Sequence, residues 1–458
     1  MIEPQVKPLP RMAPLAAKML IVVLAAAGFS LTVLTLYPGY ITNDATFVYG
    51  FMKDWRFGDW QSPLMSMLWG LIDPIAPGPG SMFLLMAALY WLGFALAGLA
   101  AARRSKAAGI AAPLLGLVPP AFMMLAMIWR DILFGTAWLV AAAAVYLAAD
   151  ADRRARWFVT ALALALVGFG ILLRPTAIIA APLLATYLIW PTAYDWKRAA
   201  VAFIPGIVLG YALIHLTYYA ILDVKRENPL HSLFVFDLGG ITYFTGENQF
   251  PVSWSAGQAA LLTTTCYDPE YWDSYWTIPP CDFVMQRLEA PGDIIFGSPR
   301  LTRAWFGAVT HHPLAYLRHR ATFFWRFLAG SNLTLELHRL DEPRNARLSQ
   351  NRYFRRLVAI HDALKPTVLF RTGLWLLVAA AIAAFAWPGR ETMAGAFALG
   401  VSGSAVFYVL TFLLVGVAAD FRYGYWCVLA ALVSMVGLVP ALRRLGEPQR
   451  KLMIRTSV

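Results

Sequence analysis

The chain has 458 residues, 59% of them hydrophobic and only 14% charged, with a formal net charge of +12 and a mean hydropathy of +0.58. A soluble domain carries roughly 25% charged residues, so the composition excludes an ordinary soluble enzyme. The basic excess does not mark a nucleic-acid binder either, because it falls in short loops between apolar runs: Arg103-Arg-Ser-Lys106, Asp152-Arg-Arg-Ala-Arg156, Asp195-Trp-Lys-Arg198 and the tail from Arg443 to Arg455. That alternation is the positive-inside pattern of a membrane protein.

Residues 1–18 are basic and Pro-rich and lead into the apolar run 19–36. This run is longer than a signal-peptide core and lacks a small-residue cleavage site, so it reads as an uncleaved signal anchor. Runs of about 20 apolar residues, enough to span a bilayer, then recur. The predicted spans are 17–37, 80–102, 107–128, 132–149, 157–173, 175–193, 199–221, 368–388, 393–418 and 423–441. Ten spans with an inside N-terminus put every basic loop on the inner side. The expected fold class is therefore an all-α polytopic membrane protein. It divides into an N-terminal transmembrane module (1–221), an outer region (222–367) and a C-terminal transmembrane module (368–458).

Between the first two spans lies the outer stretch 38–80. It begins with Tyr37-Pro-Gly-Tyr-Ile-Thr-Asn-Asp44 and continues through the charged, Trp-rich Lys53-Asp-Trp-Arg-Phe-Gly-Asp-Trp-Gln-Ser-Pro63. An ionisable group at a membrane boundary is costly unless paired or wet, so Asp44 is a functional candidate. Two roles fit it: N-cap of a short helix starting at Ala45, or general base taking a proton from a hydroxyl. Asp54 and Asp59 have the simpler reading of pairing with Lys53 and Arg56. Residues 62–72 are apolar but too short to span and read as an interfacial helix, ended by Asp73-Pro74.

Three arginines sit at predicted outer helix ends, against the charge bias: Arg130 (before Asp131), Arg174 (before Pro175) and Arg422 (in Asp420-Phe-Arg-Tyr423). They suit phosphate, whose oxygens match the guanidinium fork. The alternative is local ion pairing with Asp131 and Asp420.

The outer region is too long for a plain connection. It holds Tyr267-Asp-Pro-Glu-Tyr-Trp-Asp-Ser-Tyr-Trp276 and His311-His-Pro-Leu-Ala-Tyr-Leu-Arg-His-Arg320. The latter reads as an amphipathic helix with Pro313 in its first turn, and His312, Tyr316 and Arg320 on one face. Adjacent His311 and His312 diverge and make a poor metal pair. Trp55, Trp60, Tyr271, Trp272, Tyr275 and Trp276 fit either sugar stacking or interfacial anchoring. Cys266 and Cys281 share this region and can pair in an oxidising compartment; Cys427 reads as a packed apolar residue. Neither a P-loop nor a Rossmann turn is present, which argues against a nucleotide-driven mechanism.

These motifs resemble the GT-C glycosyltransferases, including the aminoarabinose, galacturonic acid and mannose transferases that use polyprenyl-phosphate sugars. Residues 37–44 resemble that family's first outer loop, and Trp60-Gln-Ser-Pro-Leu-Met-Ser-Met-Leu-Trp69 its interfacial helix. Where the family often has His-Pro-Pro-Leu, this chain has Gln-Ser-Pro-Leu. Arg130-Asp131, the 311–320 segment and Asp420-Phe-Arg-Tyr423 are similar to later motifs of the family. The resemblance implies an inverting sugar transfer with Asp44 as general base, Asp131 as second acidic residue, and Arg130, Arg174, Arg422 and Arg320 on the donor phosphate. Trp55, Trp60, His312, Tyr316 and Tyr423 would contact sugar or acceptor. It further implies a lipid-phosphate sugar as substrate rather than cofactor, no metal site, and membrane lipids as surroundings. The acceptor would be a glycolipid (such as lipopolysaccharide) or polysaccharide, and the location the cell inner membrane, with cytoplasmic termini and a periplasmic site. Rival readings are an O-antigen polymerase or ligase, a non-catalytic scaffold, and a lipid-linked sugar transporter. A transporter would place charges mid-helix in two related halves, whereas only His215 lies well inside a span.

Overall fold

The computed structural model describes residues 15–276 and 278–455, with side chains described up to residue 442. The basic N-terminal segment 1–14 and the side chains of the basic tail lie outside what is described. The chain is a helical membrane protein. Among the described residues, eight helices are long and apolar enough to cross a membrane, and a bent pair makes a ninth candidate.

Helix α1 (Leu15–Leu36) leads to two short helices on one end of the bundle, α2 (Asn43–Asp54) and α3 (Pro63–Ile72), before α4 (Pro79–Ala102) crosses back. Next come α5 (Lys106–Leu115) and α6 (Pro119–Met123), which form the pair bent by 50°, at Pro119 and Pro120. Helices α7 (Arg130–Ala148) and α8 (Arg153–Leu173) follow. The predicted span 175–193 is not one helix. A 3-10 turn (Pro175–Ile179) precedes α9 (Ala181–Ile189), because Pro175 and Pro182 each withhold an N–H from the helical ladder. This broken segment still carries the chain between ends of the bundle. Arg174 pairs with Asp131 at the start of α7, whereas the Tyr194 N–H donates to the Arg390 carbonyl at the other end.

Helix α10 (Trp196–His215) continues as a π-helical stretch, Leu216–Ile221. The outer region contributes α11 (Leu230–Thr245), α12 (Ala256–Thr264), α13 (Phe283–Leu288), α14 (Pro299–His311), α15 (Pro313–Ala329), α16 (Ala346–Ser349) and α17 (Arg352–Leu364). The bundle closes with α18 (Thr372–Ala386), α19 (Met393–Val415) and α20 (Tyr425–Arg455). Cys266 and Cys281 form a disulfide, and Cys427 is free and buried.

One continuous apolar core runs from α4 and α7 through α19 and α20 into the outer region. Small residues let its helices approach closely. A Cβ on Gly98 of α4 would lie 2.7 Å from the Gly109 carbonyl of α5, the close backbone packing that membrane bundles favour.

Candidate active site

The site is built from short segments that meet at one end of the bundle. The first, 37–44, turns at Gly39, whose φ of +88° lies in the left-handed region that glycine accepts without strain. Its backbone is then fastened on two sides. The Tyr40 N–H donates to the Ala126 carbonyl, and the Ile128 N–H donates back to Tyr40. The Ile41 N–H donates to Asn345 Oδ1, and Asn345 Nδ2 returns a bond to the Ile41 carbonyl.

Thr42, not Asp44, is the N-cap of α2, which corrects the capping reading. Its hydroxyl accepts from the Ala45 N–H at 3.1 Å and from Trp129 Nε1 at 3.0 Å. A short β-branched hydroxyl residue caps well, and Asp44 in the first turn is left free to turn toward the arginines while still facing the positive helix end. Its Oδ2 lies 2.5 Å from Arg422 Nη1, and its Oδ1 accepts from Gln61 Nε2 at 3.2 Å. Gln61 occupies the position where the resemblance suggests histidine.

Arg422 arrives on the segment 417–424 between α19 and α20. That segment is laced to the outer region: Trp272 N–H donates to the Val417 carbonyl, Ala419 N–H to Glu270, and Phe421 N–H to Asn332. Arg422 Nε also lies 3.4 Å from Asp420, and its guanidinium stacks 4.9 Å from the Trp129 ring centre. Arg174 pairs with Asp131 at 2.8 Å and packs 4.2 Å over the Tyr423 ring. Arg130 differs. It donates a hydrogen bond of 2.9 Å to the Trp60 carbonyl, and no carboxylate lies within ion-pair distance of it among the described residues.

Accessibility separates the two predicted acidic residues. The Asp44 side chain is 36% exposed, the Asp131 side chain 4%. Burial alone would raise the Asp44 pKa, but Arg422 and then Arg130 overcome it and hold the carboxyl below its usual range. Asp420 goes the other way: burial pushes it up to about 6, partly offset by Arg422.

The structure thus brings Asp44, Arg130, Asp131, Arg174, Arg422, Tyr423 and the Trp60 backbone together. Trp60 also joins an aromatic wall, with ring centres 5.7 Å from Trp272 and 5.2 Å from Trp276. Other expected residues lie elsewhere. Arg320 is 1% exposed, paired with Asp237 and donating to the Gly416 carbonyl at 2.6 Å, so no lipid phosphate reaches it. His312 joins α14 to α15, and Tyr316 stands beside Arg320 rather than Asp44. Trp55 ends α2 and packs on Phe57. Asp59 does not pair with Arg56; it accepts from Tyr219 Oη and the Glu227 N–H.

Sequence reasoning missed Gln61, Thr42, Trp129, Asp273 and Glu336. The last two are carboxyls near the Asp44–Arg422 pair, and burial raises the pKa of each. Among the described residues, no group of three His, Cys, Asp or Glu is placed to hold a metal ion.

No family model and no curated protein matches this chain. Two solved structures are similar to it at 15% identity. One is the oligosaccharyltransferase of Archaeoglobus fulgidus in its apo form, with a TM-score of 0.40 over 95% of this chain and 51% of that one. The other is ArnT from Cupriavidus metallidurans bound to undecaprenyl phosphate, with a TM-score of 0.32 over 88% and 78%. The present chain therefore spans about half the length of the archaeal enzyme. Likeness at this level says nothing of substrate; the chemistry rests on the side chains described above.

Proposed function

We propose that this protein is a membrane glycosyltransferase that moves a sugar from a polyprenyl-phosphate donor to a glycolipid or polysaccharide acceptor. The inner membrane, a periplasmic site and cytoplasmic termini fit the positive-inside charge bias. The observation that carries the reading is an accessible carboxylate, Asp44, ion-paired to Arg422 with Arg130 and Arg174 close enough to depress its pKa.

The donor is a phosphodiester with one negative charge, and Arg130, which makes no ion pair among the described residues, is its natural first contact. As the phosphate draws Arg422 as well, Asp44 loses its ion-pair partner and its proton affinity rises. Asp44 then accepts the proton of the acceptor hydroxyl. The oxygen bonds to the anomeric carbon through an oxocarbenium-like state while the carbon–oxygen bond to phosphate breaks. The bonding pair leaves with the phosphate, attack comes from the opposite face, and the anomeric centre inverts. The departing group gains charge, which the preplaced guanidiniums stabilise without reorganising. They supply the charge that a metal supplies elsewhere. Asp131 keeps Arg174 charged and fixed, acting through it rather than on substrate.

The test is sugar transfer by the purified protein in liposomes from radiolabelled polyprenyl-phosphate sugars, with wild type against Arg130→Ala. Transfer by wild type with donor binding weakened at least about tenfold in the variant is expected, a loss of roughly 1.4 kcal/mol. Unchanged donor binding in Arg130→Ala would contradict the donor assignment.

A further inference from the structure

At the end of the bundle away from Asp44, α9, α10, α18 and α19 leave a groove of about 900 Å3. Its lining is almost wholly apolar, with Leu183, Phe203, Ala384, Leu399, Gly403 and Phe407 along its length. The groove exists because the crossing before it is broken: α9 has only nine residues and cannot fill the space between its longer neighbours. Tyr194, Trp196 and Trp387 also line it, at the rim. From there it reaches to Phe407, 14 residues into α19, which at 1.5 Å per residue is about 21 Å. That is about 6 Å beyond one leaflet, about 15 Å, of a hydrocarbon core about 30 Å thick.

The rim carries three basic side chains against two acidic ones. Arg390 lies 5.1 Å from the Trp387 ring centre and 3.7 Å from Glu391, and its backbone carbonyl accepts the Tyr194 N–H. Lys197 and Arg198 directly follow Trp196, with Arg198 paired to Asp195 at 3.3 Å. An apolar groove opening to hydrocarbon does not hold water, since water there would find no polar partners. We propose that it is a binding site for one anionic phospholipid of the leaflet opposite the Asp44 site. The acyl chains occupy the groove, and the phosphate lies against Arg390 and the Lys197-Arg198 pair. The length takes up a whole acyl chain and is too short for an extended polyprenyl tail. The one positive charge in excess of Asp195 and Glu391 favours an anionic over a zwitterionic headgroup by about 1 kcal/mol. The lipid serves as the missing helix surface that braces α9 and α10 against α18 and α19. This site is independent of the transfer chemistry.

A substitution that plugs the groove is available. A Cβ on Gly403 meets no atom within 4 Å, so Gly403→Phe projects into the space without a backbone clash, and Ala384→Phe, on the facing wall, is a second plug. The test is native mass spectrometry of the full-length protein in mild detergent, titrated with phosphatidylglycerol, phosphatidylcholine or undecaprenyl phosphate. Wild type should retain one phosphatidylglycerol and gain thermal stability from it. Both plugs should lose retention and that gain, and Arg390→Gln should weaken retention about fivefold. Equal retention of phosphatidylglycerol by wild type and the plugged variants would overturn the proposal. So would equal retention of phosphatidylcholine, or displacement by undecaprenyl phosphate.

Discussion

The Asp44–Arg422 pair is where the account is most exposed to test. In the resting site Arg422 is shared between Asp44 and Asp420, so a phosphate must compete with carboxylates for it. Asp44→Asn removes one competitor and the base together. Transfer should fall at least about 100-fold, the lower end of what a general base contributes, while polyprenyl-phosphate binding holds or tightens. Because the folded pKa of Asp44 is depressed, the stability from this pair is fully present at neutral pH and is lost as pH falls through that lowered value. Asp420 has the opposite sign. With its pKa near 6, it is neutral below that pH and the arginine set is then more positive. Affinity for a phosphodiester donor, whose own charge is constant there, should fall as pH rises through about 6. In Asp420→Asn that dependence should flatten; a limb that persists would show that another group titrates.

The arginines and Asp44 were legible because charge at the end of an apolar helix is conspicuous in the sequence. Gln61, Trp129 and Glu336 were not, because each looks ordinary until the fold brings it to the first outer loop. The Asn43 N–H, for example, donates to Glu336 across 293 residues. Arg320 misled for the converse reason. A basic residue on an amphipathic helix looks accessible, and only the position of Asp237 on α11 shows that it is not.

At the scale of elements, the site depends on how its segments are held. A Cβ on Gly39 would lie 2.7 Å from Ile128 and 3.0 Å from Phe83, at a φ that side chains rarely adopt. Gly39→Val should therefore displace the 37–44 turn and lower kcat, with Thr42 and Asp44 chemically intact. The disulfide closes a stretch of 15 residues that carries Trp272, Asp273 and Trp276 to the site. Replacing both cysteines with serine should cost about 3 kcal/mol, by loop-closure entropy. It should also raise acceptor KM more than it weakens donor binding, readable by initial rates at saturating donor. The broken crossing at Pro175 and Pro182 shows the limit of reading spans from apolar length. Hydropathy draws one continuous span here, whereas the placement of two prolines makes it a turn plus a nine-residue helix.

Over the whole molecule, the outer region and the bundle act as one body through a buried polar hub. Asp237 of α11 accepts from Trp305 Nε1 at 2.7 Å, pairs with Arg320 of α15 and lies 3.2 Å from His319 Nε2. Arg320 in turn holds the Gly416 carbonyl, four residues before Asp420. Asp237→Ala leaves a buried guanidinium without its counter-ion, and unfolding monitored by heat should register a loss of about 3–5 kcal/mol. A loss under about 1 kcal/mol, the worth of a surface pair, would mean the hub is not the joint described. The hub thus links α11 and α15 of the outer region to the segment bearing Arg422, a coupling that no local sequence pattern announces.

The most direct measurement is made on wild type and Asp44→Asn in one liposome preparation, reading polyprenyl-phosphate binding and sugar transfer side by side. The account predicts that the variant binds at least as tightly as wild type and transfers almost nothing. Transfer at the wild-type rate by Asp44→Asn would contradict it.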